Sequence, residues 1–151
     1  MFWVDPTDNT HGLVLAIEDQ SAAIQWYNGS LTSTGATGTA IGTGSANTTT
    51  IIADQGAVET AYAAGLARAY RGGGYTDWFL PSKDELNQMY LNQTMINSTA
   101  TANSGSDFSD GNYWSSSESG NGYAFTHYFP SGSVGTITKD DTRSVRAVRA
   151  F

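Results

Sequence analysis

Apolar positions in this chain come in short bursts, and the spacing inside each burst predicts its element. His11-Gly12-Leu13-Val14-Leu15-Ala16-Ile17 is a short apolar run interrupted by a glycine, the pattern of a buried strand. Before it, Trp3 and Val4 anchor a turn-rich opening in which Asp5-Pro6 turns. Ala23 to Tyr27 has strand character, and Asn28-Gly29 is a strong turn dipeptide. Residues 30–50 form a nearly charge-free tract of Thr, Gly, Ala and Ser, predicted as a long ordered loop, with partial disorder as the alternative. Helical spacing starts near Ile52. Val58, Ala61, Tyr62, Gly65, Leu66 and Ala69 trace one face, with Glu59 early, Arg68 and Arg71 in the last turn, and Gly72-Gly73-Gly74 as the exit.

The strongest local signal is Gly74-Tyr75-Thr76-Asp77-Trp78-Phe79-Leu80-Pro81-Ser82-Lys83-Asp84-Glu85-Leu86, read as an aromatic strand that stops at proline and re-enters as a helix. Pro81 cannot donate to a ladder and biases Leu80 towards extended backbone. Ser82 and Glu85 form a capping box, and Leu86, Met89 and Tyr90 repeat at i, i+3, i+4 on one buried face. The helix fades near Gln93, and the polar stretch from Thr94 to Asn112 reads as a second surface loop.

Period-two patterning then takes over. Tyr113 to Ser117, Tyr123 to Phe129 and Val134 to Thr138 are strands of an antiparallel meander, joined by turns at 120–122 and 130–132. Ser144 to Phe151 closes the chain as one strand, and its terminal Phe predicts a C-terminus tied into the core.

Composition narrows the chemistry. A length of 151 residues fits a single domain over 1–151. The 17 glycines and the low charged fraction of 14 % favour short strands and wide loops. A net charge of −7 argues against nucleic acid and against an anionic membrane as partners. The cationic side chains gather late, at Lys139, Arg143, Arg146 and Arg149, as a basic segment on an acidic body. Zero cysteine removes disulfides, thiolate nucleophiles and Cys-based zinc sites. No apolar run approaches 18 residues and no leader pattern opens the chain, so it reads as a soluble piece without membrane insertion.

Candidate chemistry is sparse. Ser115 to Ser117 lack a G-x-S-x-G setting, no nucleophile–base pair is legible, and His11 and His127 lack metal-type spacing, so the chain reads as no enzyme, with no catalytic or metal residue. Asp107-Phe108-Ser109-Asp110-Gly111-Asn112 spaces oxygen donors closely; a solvated turn is the preferred reading and calcium the alternative, with no other cofactor expected. Trp114 and its serines read as a core strand. Arg146 and Arg149 read as structural cations for Asp77, Glu85 or Glu118.

Three segments in order, 74–86, Tyr113-Trp114-Ser115-Ser116-Ser117-Glu118 and Val145-Arg146-Ala147-Val148-Arg149-Ala150-Phe151, resemble the C-terminal domain family of the Legionella collagen-like (Lcl) adhesins. Ile24 to Asn28 and Gly42-Thr43-Gly44 are similar to its N-terminal half, so the resemblance covers nearly the whole chain. More distantly the chain is similar to the retroelement-diversified receptor-binding proteins. The resemblance implies an α+β, C-type lectin-like fold of the formylglycine-generating-enzyme type: two helices flanking a small twisted antiparallel sheet with long loops. It implies an extracellular binding module on a bacterial surface or phage particle, at the end of a stalk or fibre, directed at a host or cell-surface glycan or protein. It also implies a homo-oligomer, trimer favoured. The alternative is a structural trimerisation or capping domain with no ligand of its own. The binding face is then the meander, with Asn112, Ser119, Asn121, Tyr123, His127 and Tyr128 as contacts. Tyr, Ser and Asn give amphipathic area and adaptable hydrogen bonds at little entropic cost. Strict alternation makes Tyr128 the outward residue and takes Tyr123 and His127 inward with Phe125 and Phe129, unless a bulge or strand end intervenes.

Overall fold

A computed structural model describes residues 1–56 and 60–151. Among them the elements run β1 (Trp3–Val4), β2 (Gly12–Leu15), β3 (Ser21–Gln25), α1 (Gly44–Gln55), α2 (Ala63–Ala69), a 3-10 turn (Gly72–Gly74), α3 (Lys83–Leu91), α4 (Gln93–Ala102), β4 (Asn112–Glu118), β5 (Tyr123–Tyr128), β6 (Ser133–Thr138), β7 (Thr142–Val145) and β8 (Val148–Ala150). The strands make two open sheets, ordered β1-β2-β8 and β3-β7-β4-β5-β6. The expected two helices and single antiparallel sheet are thus corrected to four α-helices and two sheets among the described residues. The larger sheet also contains one parallel contact, where Tyr113 of β4 meets Ser144 of β7.

Both unexpected helices lie in tracts read as loops. In α1 the Thr48, Thr49 and Thr50 hydroxyls donate to the carbonyls of Gly44, Ser45 and Ala46, one turn back. These bonds satisfy the hydroxyls without leaving the helix. Its buried face is Gly44, Asn47, Thr48, Ile51 and Gln55, helically spaced but mostly polar, which is why apolar periodicity does not reveal it. Helix α4 buries only Ile96 and Ala100, one turn apart. The helix expected from Ile52 onwards resolves into the end of α1, stopped at Gly56 with φ 85°, and the separate α2. Val58 and Glu59 of its predicted stripe lie outside the described residues.

The aromatic stretch before Pro81 is a single bridge, Phe79 to Val148, rather than a strand. The capping box beyond it forms as expected: Glu85 N–H donates to Ser82 Oγ at 3.3 Å and Ser82 N–H to Glu85 Oε2 at 2.7 Å. One core cluster gathers Trp26, Tyr62, Leu80 and Trp114; a second gathers Leu86, Met89, Tyr113 and Phe129.

The closing strand is divided. β7 joins the larger sheet beside β3, β8 joins the smaller one beside β2, and Arg146 and Ala147 lie at the crossing. Arg146 is buried there: its Nε donates to Asp19 Oδ1 at 2.6 Å, its Nη2 to the Asp107 carbonyl at 3.0 Å, and its guanidinium covers the Phe108 ring at 4.4 Å. The Ala147 N–H donates to Gln20 Oε1 instead of to a strand. The last residue is held by its backbone, through reciprocal bonds with Gly12, while its ring stays 44 % exposed; the expectation of a core Phe151 is corrected.

The 30–43 segment is a loop pinned from beneath by buried side chains. The Glu118 carboxylate accepts from Thr34 N, Thr34 Oγ1 and Gly35 N, at 2.8 to 3.0 Å for its Oε2. Asn47 bonds both N–H and C=O of Gly38, and Glu85 Oε1 accepts from Gly42 N at 2.8 Å. A backbone run without secondary structure therefore still meets its polar needs.

Candidate binding face

The Tyr113-Trp114-Ser115-Ser116-Ser117 motif is scaffolding. All five side chains are buried. Trp114 Nε1 donates to the Ile24 carbonyl and Trp26 Nε1 to the Ser115 carbonyl, both at 2.8 Å, tying β4 to β3 and to the segment after it. Ser115 Oγ bonds the Phe125 carbonyl across the hairpin, and Ser117 Oγ bonds the Gly38 carbonyl of the pinned loop. Ser116 Oγ accepts from Asn47 Nδ2, so the three serine hydroxyls are taken up by structural partners.

The six predicted contact residues separate into three settings. Ser119 and Asn121 are exposed at the β4–β5 tip, with Tyr123 50 % exposed beside them and its carbonyl accepting from Ser119 N. Asn112 and Tyr128 sit directly opposite one another at the other end of the same two strands, Tyr128 39 % exposed. A seven-residue strand separates the groups by about 20 Å. His127 is a correction: only 1 % exposed, it packs edge-on against Tyr90 of α3 at 4.8 Å and places Nε2 3.0 Å from the Gly132 carbonyl. Burial pushes its pKa below the ordinary value, which favours a neutral ring. Alternation turned His127 inward as expected, whereas Tyr123 lies near the open hairpin end and stays out.

The end marked by Asn112 and Tyr128 opens into a cleft of about 340 Å³ lined mainly by polar groups, among them Ser109, Asp110, Asn112, Arg143 and Ser144. Its floor is fixed: Ser109 Oγ lies 2.9 Å from Tyr113 Oη and 3.1 Å from Ser144 Oγ, and Tyr113 Oη donates to Asp19 Oδ2 at 2.6 Å. Burial, then the Asp19 carboxylate, pushes the Tyr113 phenol well above its ordinary value, so it stays a donor. The rim carries exposed Asp110 and half-buried Arg143, whose Nη2 reaches Asp141 at 3.3 Å while its Nε is buried without a partner among the described residues. Of the six predicted contacts only Asn112 lines this cleft, with Tyr128 paired to it on the neighbouring strand, and sequence reasoning missed Ser109, Asp110, Arg143 and Ser144 as one site. The signals existed, as the 107–112 donor run and the late basic segment, yet nothing in a sequence joins residues more than thirty positions apart.

The basic segment does not survive as a patch. Lys139 is fully buried against Glu118, Nζ to Oε1 at 2.8 Å, and Arg146 is buried against Asp19. Arg143 and Arg149 alone of the four reach the surface, Arg149 paired with Asp77 at 2.5 Å and stacked 3.8 Å from Tyr75. The structural pairing expected for Arg149 with Asp77 is observed; Arg146 takes Asp19, and Glu118 takes Lys139. Among the described residues no three His, Asp or Glu gather in a way that could hold a metal ion, and no helix is long and apolar enough to cross a membrane.

A family model described as the Lcl C-terminal domain matches residues 15–149. No curated protein matches the chain.

Proposed function

The chain belongs to the Lcl C-terminal domain family, an adhesin-associated family of surface-exposed proteins, and from that premise we propose that it is a non-catalytic binding head for an uncharged, hydroxyl-rich ligand such as a cell-surface glycan. The observation that carries this reading is the polar cleft beside Tyr128, where Asp110, Asn112 and Arg143 stand over a floor of bonded hydroxyls. Carboxylate, amide and guanidinium supply acceptors and donors to sugar hydroxyls, and the half-exposed Tyr128 ring supplies a stacking face. The net charge of −7, with two of the four late cations buried, disfavours a sulfated polyanion. The proposed architecture is C-type lectin-like, supported by the pairing of β2 with β8 near the chain ends and by the long pinned loop. The proposed setting is extracellular, on a bacterial surface or phage particle, displayed as an oligomer at a stalk tip.

The test is a glycan-array and host-surface screen of the domain with and without calcium. An Asn112→Ala/Arg143→Ala variant should weaken binding by tenfold or more, on the order of 1.4 kcal/mol. An Asn121→Ala/Tyr123→Ala variant at the far tip should leave it unchanged. The reverse pattern moves the site to the hairpin tip. Absence of any ligand favours the capping reading.

A further inference from the structure

The hydroxyls beneath the polar cleft form a hydrogen-bonded chain whose direction has one solution. At its inner end stands the Asp19 carboxylate, which only accepts, and its Oδ1 takes the Arg146 Nε hydrogen at 2.6 Å. Its Oδ2 lies 2.6 Å from Tyr113 Oη, so the single hydrogen of the phenol is committed to Asp19. The phenol oxygen is then left to accept, and two groups of Ser109 meet it, the backbone N–H at 2.7 Å and Oγ at 2.9 Å. The Ser109 hydroxyl hydrogen therefore points at Tyr113. Ser144 Oγ, 3.1 Å from Ser109 Oγ, has no hydrogen to receive from it, and its own goes to Ser109 or to the Ala22 carbonyl at 3.3 Å.

Ser109, Ser144 and Ala22 all line the cleft, yet both hydroxyl hydrogens of this floor are turned into the protein. Oxygen lone pairs are what the floor presents. A hydroxyl that donates is also the stronger acceptor, so a one-way chain with a charged end polarises its own mouth. The rim differs. Arg143 engages Nη1 at the Thr142 carbonyl and Nη2 at Asp141, which leaves each nitrogen a second hydrogen, and the Asn112 amide carries two.

We propose that this cleft selects free hydroxyls over groups that only accept, and that Tyr113 is the positioning residue that sets the selection through Ser109. The inference rests on the binding reading above and narrows it. The ligand is a polyol whose hydroxyls donate down to Ser109 and Ser144 while accepting from Arg143 or Asn112 at the rim. An ether, an ester carbonyl or a sulfate ester at the same point sets oxygen against oxygen and leaves acceptors unpaired on both sides. A glycan methylated, acetylated or sulfated at that hydroxyl is thus refused where the free sugar is taken, whatever its charge.

The test follows the Ser109 and Ser144 amide signals by NMR while the 151-residue chain is titrated with one of two small neutral probes. Ethylene glycol donates and accepts; dimethyl sulfoxide only accepts. Ethylene glycol should bind about five- to tenfold more tightly. Tyr113→Phe keeps the ring in its core cluster and releases the Ser109 hydrogen, so the preference should fall to about twofold or less. A purely structural Tyr113 would lower the melting temperature and leave the preference intact, which overturns its positioning role. Should that variant not fold, neutron diffraction from the deuterated wild-type protein reads the same point. Deuterium on Ser109 directed at Tyr113 supports the proposal, and deuterium directed into the cleft overturns it. Equal binding of the two probes by the wild type, or shifts from neither, also overturns it. A glycan screen without a hit, beside a clear preference for ethylene glycol, removes the glycan reading and leaves the polarity of the floor standing.

Discussion

Two buried carboxylates hold the 30–43 loop, and their surroundings shift them in opposite directions. Glu118, at the end of β4, takes the Thr34 and Gly35 amides and has a buried cation, Lys139, which also donates to the Thr32 carbonyl and lies 4.5 Å from the Trp26 ring. Glu85, at the start of α3, takes the Gly42 and Ser82 amides and has no cation partner among the described residues. Burial pushes both up. At Glu118 the bonds from Lys139 and Thr34 outweigh burial and the net shift is downwards; at Glu85 burial prevails and the net shift is upwards. Backbone amides alone hold Glu85 in place, whereas at Glu118 a buried cation is added and the direction of the shift reverses.

The largest test of this contrast removes the cation. Lys139→Ala leaves the Glu118 charge buried and should cost about 3–5 kcal/mol, seen as a lowered urea midpoint. A cost under about 1 kcal/mol would mean that the loop amides alone carry the charge. Next in size is the comparison of neutral isosteres. Glu118→Gln should cost about 2–3 kcal/mol because it strands Lys139, and Glu85→Gln less, because no buried cation loses its partner there. Equal costs would erase the distinction. The smallest effect is the pH response, and its two halves have opposite sign. Glu118, held below its ordinary 4.5, contributes stability that is present above 4.5 and is lost as pH falls through its lower folded value. Glu85, held above 4.5, binds its proton more tightly when folded, so its contribution grows as pH falls from that raised value towards 4.5. Melting curves across the acid range should show less acid loss in Glu118→Gln and a missing gain in Glu85→Gln.

How much of this was legible follows from range. The Ser82–Glu85 box and the β4–β5–β6 meander lie within a few residues of their partners, and local pattern reads them, whereas the break at Gly56 inside the expected helix went unread. Helix α1 was hidden because a polar face is buried, so Asn47, Thr48 and Gln55 imitate a loop. Arg146 and Asp19 are 127 positions apart, and no local pattern tells a buried cation from a surface one. The cleft suffered likewise: its walls, 109–112 and 142–144, are brought together by long-range contacts, the Ser109–Ser144 hydroxyl pair and the parallel pairing of Tyr113 with Ser144. His127 was legible by parity alone, and its neighbour Tyr90 confirms the parity.

The divided closing strand also sets a schedule. Ser21 pairs with Val145 and Leu13 with Ala150, so each sheet gains one of its long-range seams from the last ten residues. Such distant pairings are slow to form, because the chain must close a loop of more than a hundred residues before either seam gains a contact. A growing chain released at roughly 5–20 residues per second would therefore hold its hairpins and α3 ready while both sheets wait for residues 142–150. Until then neither sheet has its closing seam.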